Sequence, residues 1–230
     1  METLPIVKKG SPQERNVALT FDDGPNPYAT PQILDILKQE GCTATFFLIG
    51  RRADQYPEIV RRIQAEGHTI GGHSHKHGGT SQKEPFHEFL LGNESIERIT
   101  GLPVRYVRVP QLRYGAIDNG VLRTKEFFEP PLREQILKKE VVVMDCSIVT
   151  HDWFTPMPVP LMLAKVNVQL HNGAIINMHD GSEKDPDLQT RAARTVRMLS
   201  TLISNIRSRG YEIADLSKLD LVFEHKRIRK

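Results

Sequence analysis

The chain has 230 residues, 39% hydrophobic and 26% charged, with 31 basic against 28 acidic side chains, a net charge of +3 and two cysteines. A chain this long buries roughly 70% of the surface it exposes when unfolded, so neither disulfides nor a metal is needed merely to fold. Ordinary aliphatic content excludes wholesale disorder. The apolar runs fall short of the ~20 residues of a membrane span, and so mild a charge makes no case for nucleic acid.

Residues 1–16, METLPIVKKGSPQERN, form an N-terminal extension without the apolar core of a signal peptide. As it stands the chain is expected to be cytoplasmic, or extracellular or cell-envelope if a leader has been removed. Residues 17–21 make the first apolar strand and run into the turn residues Asp22-Asp23-Gly24-Pro25-Asn26-Pro27. Thr30 reads as an N-cap with Pro31 at the first helical position; Ile33, Leu34 and Leu37 set the helical spacing and Gly41 stops it. Residues 43–49 are the second strand. Residues 53–66 are helical, with Ile59, Val60 and Ile63 on one face and Gly67 as the stop. Residues 68–72 are a short third strand leading into His73-Ser74-His75-Lys76-His77.

Residues 86–99 follow as a helix closed by Gly101, then 105–109 as a strand. The helical stretch 117–139 is split in two by Pro130-Pro131. Residues 141–148 read as a buried strand, 161–170 as a helix and 174–178 as a strand. In the clearest helix Leu188, Ala192, Val196, Leu199, Ile203 and Ile206 step by three or four. Residues 211–214 are a last short strand, and 220–230 a basic tail expected to be solvated and frayed. Cys42 and Cys146 are too far apart for a CxxC pair and read as two buried free thiols.

Strands alternating with helices, without a repeat or linker, imply one domain built on a parallel sheet with crossover helices. About seven such units suggest a distorted barrel one short of the usual eight, with a doubly wound open sheet as the alternative. Either way the chemistry belongs where strands end and loops begin.

Four strand ends carry candidate groups. His73 and His77 lie four residues apart, which in a helical turn puts both rings on one face where they can meet a divalent ion. Alone the pair would read as a polar loop, but it follows a predicted strand. His75 points elsewhere and reads as a solvent or supporting residue. Asp22 and Asp23 end the first strand, and adjacent strand residues face opposite ways. One carboxylate can therefore bind a metal while the other acts as a base. His179-Asp180 offers a general acid or a capped strand end. Asp152-Trp153 carries the only tryptophan in the chain, a candidate sugar-stacking wall.

In order and context, Thr20-Phe21-Asp22-Asp23-Gly24 and His73-Ser74-His75-Lys76-His77 resemble the first two motifs of the polysaccharide deacetylases, the NodB-homology carbohydrate esterases of family 4. The resemblance spans about 17–219, taken as the domain. It implies a single-domain distorted (β/α)7 barrel and a divalent metal, commonly zinc, with cobalt or nickel as other candidates. It also implies removal of acetyl groups from amino sugars of chitin-type or peptidoglycan polymers and oligomers. Carried over, Asp22 becomes the base, and Asp23, His73 and His77 the metal ligands. Asp152-Trp153 resembles the end of the fourth motif, where the aspartate contacts the catalytic histidine and the tryptophan lines the sugar groove. Asn177-Met178-His179 stands in place of the fifth, making His179 the general acid; a carboxylate beside it favours the imidazolium form.

Three departures from the family pattern bear on the site. The third motif is expanded across Arg108–Gly115. Arg108 is the expected tether of the base and Arg113 its rival, while Tyr114 belongs to the substrate-binding backbone. Val149 replaces another aspartate of the fourth motif. Asn177 stands where a leucine lines the acetyl pocket, which places it against substrate. Rival readings keep the metal site but take a small formamide, amide or cyclic imide, or make the chain a carbohydrate-binding pseudoenzyme. The presence of Asp22, Asp23, His73, His77 and His179 ranks the pseudoenzyme last.

Overall fold

A computed structural model describes residues 3–77, 85–110, 132–138, 140–153, 157–181 and 188–227. In chain order the elements are β1 (Thr3–Gly10), β2 (Asn16–Gly24), α1 (Thr30–Gln39), β3 (Thr45–Leu48), α2 (Gly50–Gln55), α3 (Pro57–Ala65), β4 (Thr69–Gly72), α4 (Pro85–Thr100) and β5 (Tyr106–Val107). They continue with α5 (Leu132–Leu137), β6 (Val142–Met144), β7 (Ile148–Val149), α6 (Val159–Gln169), β8 (Ala174–His179), α7 (Leu188–Ser208), β9 (Glu212–Ala214) and β10 (Leu221–Arg227).

The strands form one mixed sheet in the order β10-β1-β6-β5-β4-β3-β2-β8-β7, with β9 also on β2. Only β10 against β1 is antiparallel. β6 and β7 stand six interstrand steps apart in that order, about 29 Å if the sheet were flat. Yet residues 145–147 alone link them, a reach of about 14 Å. The sheet must therefore curl, which gives the distorted barrel and leaves the helices outside.

Alternation along each strand sorts side chains between two cores. On β2, Val17, Leu19 and Phe21 join an outer layer with Ile33, Leu34 and Leu37 of α1 and Leu199, Leu202, Ile203 and Ile206 of α7. Ala18 turns the other way, into an inner cluster with Val7, Phe47, Met144, Ile175 and Leu216. A period of two then puts Thr20 and Asp22 on the Ala18 face, and Asn177 and His179 on the Ile175 face. Polar groups are thus stacked above an apolar floor, toward the C-terminal ends of the strands. The opposite end is closed by Leu216 and Leu219. There Asp215 accepts hydrogen bonds from Thr43 Oγ1 (2.7 Å), just before β3, and Thr69 Oγ1 (2.9 Å), at the start of β4.

Several sequence expectations change. The single helix over 53–66 is two, α2 and α3. Tyr56 at φ −131°, ψ 57° breaks it because the residue before a proline is pushed out of the helical region. The strand over 141–148 is likewise split into β6 and β7 where the chain crosses between neighbours, and the strand over 105–109 keeps only two residues. Thr30 is not a cap but the first residue of α1: its hydroxyl accepts from Asn26 N (2.8 Å) and donates to Asp180 Oδ2 (2.5 Å). The tail is not frayed over Leu221–Arg227, because β10 pairs with β1. Both of those strands lie outside the 17–219 span yet belong to the same sheet. Cys42 is half-buried rather than buried, and both cysteines are free; burial pushes their thiols up, to about 11 for Cys42 and about 12 for Cys146.

Candidate active site

Asp22 is buried at the end of β2, with a donor on each carboxylate oxygen. Arg108 Nη1 donates to Oδ1 at 2.8 Å and Asn177 Nδ2 donates to Oδ2 at 2.7 Å. Arg108 is fully buried just beyond β5. It also donates to Thr20 Oγ1 (2.8 Å) and the Asp145 carbonyl (3.0 Å), and lies over the Phe47 ring at 4.2 Å. One guanidinium therefore ties β2, β5 and the β6–β7 link to the inner core. Arg108 meets Asp22; Arg113 and Tyr114 lie outside the described residues. Each oxygen of Asp22 has a second lone pair, so two donors still leave room for a proton.

Strict alternation would send Asp23 to the outer face. Instead Asp23 holds a left-handed backbone (φ 74°), and the β2–β3 register shifts between Asp22 and Gly24. The kink brings both carboxylates to one rim. Arg52 Nη1 fixes it by donating to the Asp23 carbonyl at 2.7 Å. A Cβ on Gly24 would collide with Asp180 Oδ2, so only glycine fits beneath the turn. Left-handed backbone at a non-glycine residue costs of order 1 kcal/mol or more and clusters at functional sites; His77 (φ 53°) shares it.

Asp23 Oδ1 faces His77 Nε2 at 3.0 Å and His73 Nε2 at 3.4 Å. Among the described residues these three form the one cluster whose donor atoms could share an ion, all within 4.8 Å of one another. Its fit to a cation rests on three observations. Asp23 Oδ1 is buried without a hydrogen bond. His73 Nδ1 lies 2.8 Å from the Arg108 carbonyl, an acceptor only, so Nδ1 carries the proton and Nε2 presents its lone pair toward Asp23. The 3.4 Å separation is that of two ligands about 2.1 Å from a shared tetrahedral ion, and the 3.0 Å one is somewhat tighter. Without an ion, burial alone would raise the Asp23 carboxyl, but His73 and His77 protonated on the nitrogens that face it would outweigh burial and hold it well below the usual range.

Across the rim, His179 Nδ1 lies 2.8 Å from Asp152 Oδ1. Asp152 is clamped in turn: Oδ2 accepts from His179 N and from Thr195 Oγ1, both at 2.6 Å. Burial disfavours a charged imidazole, yet the Asp152 carboxylate prevails and pushes His179 up to about 10. Trp153 stands edge-to-face with His179 at 4.8 Å and is 37% exposed. Asp180, next in the chain, is buried, and burial pushes it up to about 7.

Asn177, expected against substrate, donates from Nδ2 to Asp22, its strand position sharing the inner face with Ile175. Thr195, Thr20 and Arg52 were not read as site residues. Nothing in sequence marks a threonine on a distant helix, or an arginine whose partner is a backbone carbonyl.

A family model described as polysaccharide deacetylase matches residues 9–126. The chain belongs to the polysaccharide deacetylase family. Among its relatives, a protein named chitooligosaccharide deacetylase from Bradyrhizobium sp. (strain ANU 289) is 36% identical over 214 residues, covering 89% of this chain and 90% of that protein. The crystal structure of a peptidoglycan N-acetylglucosamine deacetylase with 4-naphthalen-1-yl-N-oxidanyl-benzamide matches with a TM-score of 0.77 at 27% identity, over 94% of this chain and 92% of that one. A wild-type carbohydrate esterase family 4 pseudoenzyme from Bacillus anthracis shares the fold, with a TM-score of 0.73 at 24% identity, over 93% of this chain and 68% of that one. Deacetylases and a pseudoenzyme thus share one fold, and in this chain the side chains must decide.

Proposed function

We propose that this deacetylase-family chain is a metal-dependent hydrolase that removes N-acetyl groups from N-acetylglucosamine units of a chitin-type or peptidoglycan oligomer, releasing acetate. The observation that carries the reading is the opposition of two built halves. On one side is a base held by Arg108 beside an Asp-His-His face; on the other is a protonated histidine held by a carboxylate. A pseudoenzyme would have no use for both. The names of the relatives supply the substrate class, and the structural neighbour extends it to peptidoglycan.

Asp23, His73 and His77 would hold the ion, and their nitrogen and oxygen donors suit zinc, with cobalt or nickel as alternatives. When bound, such an ion polarises the amide carbonyl and lowers the pKa of water. Asp22, oriented through both oxygens, takes the proton of the water that attacks the acetyl carbon. His179 gives its Nε2 proton to the departing nitrogen while Asp152 stabilises the imidazolium. Amide plus water thus becomes acetate plus amine. Asn177, which replaces the family's leucine, donates to Asp22 and so supports the base.

The test is acetate release from chitooligosaccharides and peptidoglycan fragments with and without chelator. Asp22→Asn should cut turnover at least about a thousandfold while metal content stays stoichiometric. His77→Ala should lose metal first. Near-parental turnover in Asp22→Asn would dismiss the base assignment.

A further inference from the structure

We infer that His151 is a specificity-determining residue that forms, with Trp153, a two-ring wall for the sugar ring bearing the scissile acetamide, and offers it a hydrogen-bond acceptor. The inference rests on the deacetylase reading above and adds a residue to it.

Three observations at the start of the β7–α6 loop carry it. His151 holds a left-handed backbone at φ 59°, a region that favours glycine. A histidine kept there carries a conformational cost that glycine would avoid, which points to a use for its ring. The ring is also fixed. His151 Nδ1 lies 3.0 Å from the Val149 carbonyl, which can only accept, so the proton sits on Nδ1 and Nε2 is left as an acceptor. Finally, the imidazole stacks on the Trp153 indole, with centroids 5.3 Å apart and planes 29° apart.

The same indole stands 4.8 Å from the His179 ring. The indole therefore stands beside the group that protonates the leaving nitrogen, with the His151 imidazole stacked on it. A pyranose offers what such a wall receives: an apolar face of C–H bonds to lie on aromatic carbon, and hydroxyls that need acceptors at the edge. His151 braces the indole so that Trp153 does not have to be ordered on binding.

Trp153 is the only tryptophan in the chain, so intrinsic fluorescence reads this wall independently of turnover. Chitotetraose is titrated into the Asp22→Asn protein and into the same protein carrying His151→Ala or His151→Phe. KM and kcat for acetate release are measured with each His151 change alone. His151→Ala should alter the unliganded emission, weaken binding about five- to tenfold, raise KM in step and leave kcat within about twofold. His151→Phe restores a ring without the nitrogen and should recover part of the loss.

Parental binding and KM in His151→Ala, while the parent chain releases acetate, would overturn the wall and leave the deacetylase reading intact. A fall in kcat with binding unchanged would also overturn it, by reducing His151 to a turn residue. A parent chain that neither binds chitotetraose nor releases acetate would overturn both.

Discussion

At the scale of single residues, the Asp152–His179 pair shows how burial and charge compete. Burial alone would lower the imidazole pKa, yet the paired carboxylate raises it from 6.5 to about 10, so the donor stays charged through neutral pH. A cation on the Asp-His-His face would pull this value down, because like charges repel. Asp152→Asn removes the raising charge and leaves the burial. The alkaline limb of the kcat–pH profile should then move to lower pH than the parent's, with Asp22 and Asp23 left to offset part of the burial. A limb that does not move would show that His179 is not the acid. Stability follows the same linkage. A pKa raised on folding contributes fully below 6.5 and is lost as pH climbs toward 10. The melting-temperature advantage of the parent over His179→Gln should therefore shrink across that range. The motif residues themselves were legible because their chemistry is tied to short spacing. The left-handed kink at Asp23 and the Asn177 amide on Asp22 were not, since each depends on a neighbour brought from elsewhere.

Among the elements, β2 and β5 show why a strand end can be rigid enough for catalysis. β5 has only two residues of ladder, so much of its attachment comes from Arg108, which reaches Asp22, Thr20 and the Asp145 carbonyl. Arg108→Met keeps the apolar stem but leaves Asp22 buried opposite no cation. Breaking a buried pair in this way costs about 3–5 kcal/mol, and urea unfolding should read a loss of that size. Combining it with Asp22→Asn should return part of the stability, since the stranded charge is gone; no recovery would mean that packing, not charge, sets the cost. At this scale the helical spacing of α1, α3 and α7 was readable from the apolar pattern alone. The break at Tyr56 was written in Pro57. The division of β6 from β7 was not, because a continuous apolar run looks the same whether it keeps one pair of neighbours or changes them midway.

For the whole molecule, alternating strands and helices made the barrel class readable, whereas β1 and β10 were hidden. Their segments are charged and without clean alternation, and they form a sheet edge by pairing with each other and, through β1, with β6. The short 145–147 link that forces the sheet to curl also divides the assembly of the site in time. The ion-holding residues come from β2 and the loop after β4, with β3 between them, all in the first third of the chain. The two donors on Asp22 arrive from 86 and 155 residues away, so the base is not held until those distant segments have joined the sheet. Closing longer loops costs more entropy, and non-local pairing is slow. A refolding chain should therefore pass through a stage that captures metal but cannot hydrolyse anything. In stopped-flow refolding, uptake of a divalent ion should run ahead of recovered acetate release; simultaneous recovery would mean that the barrel closes before either half of the site forms.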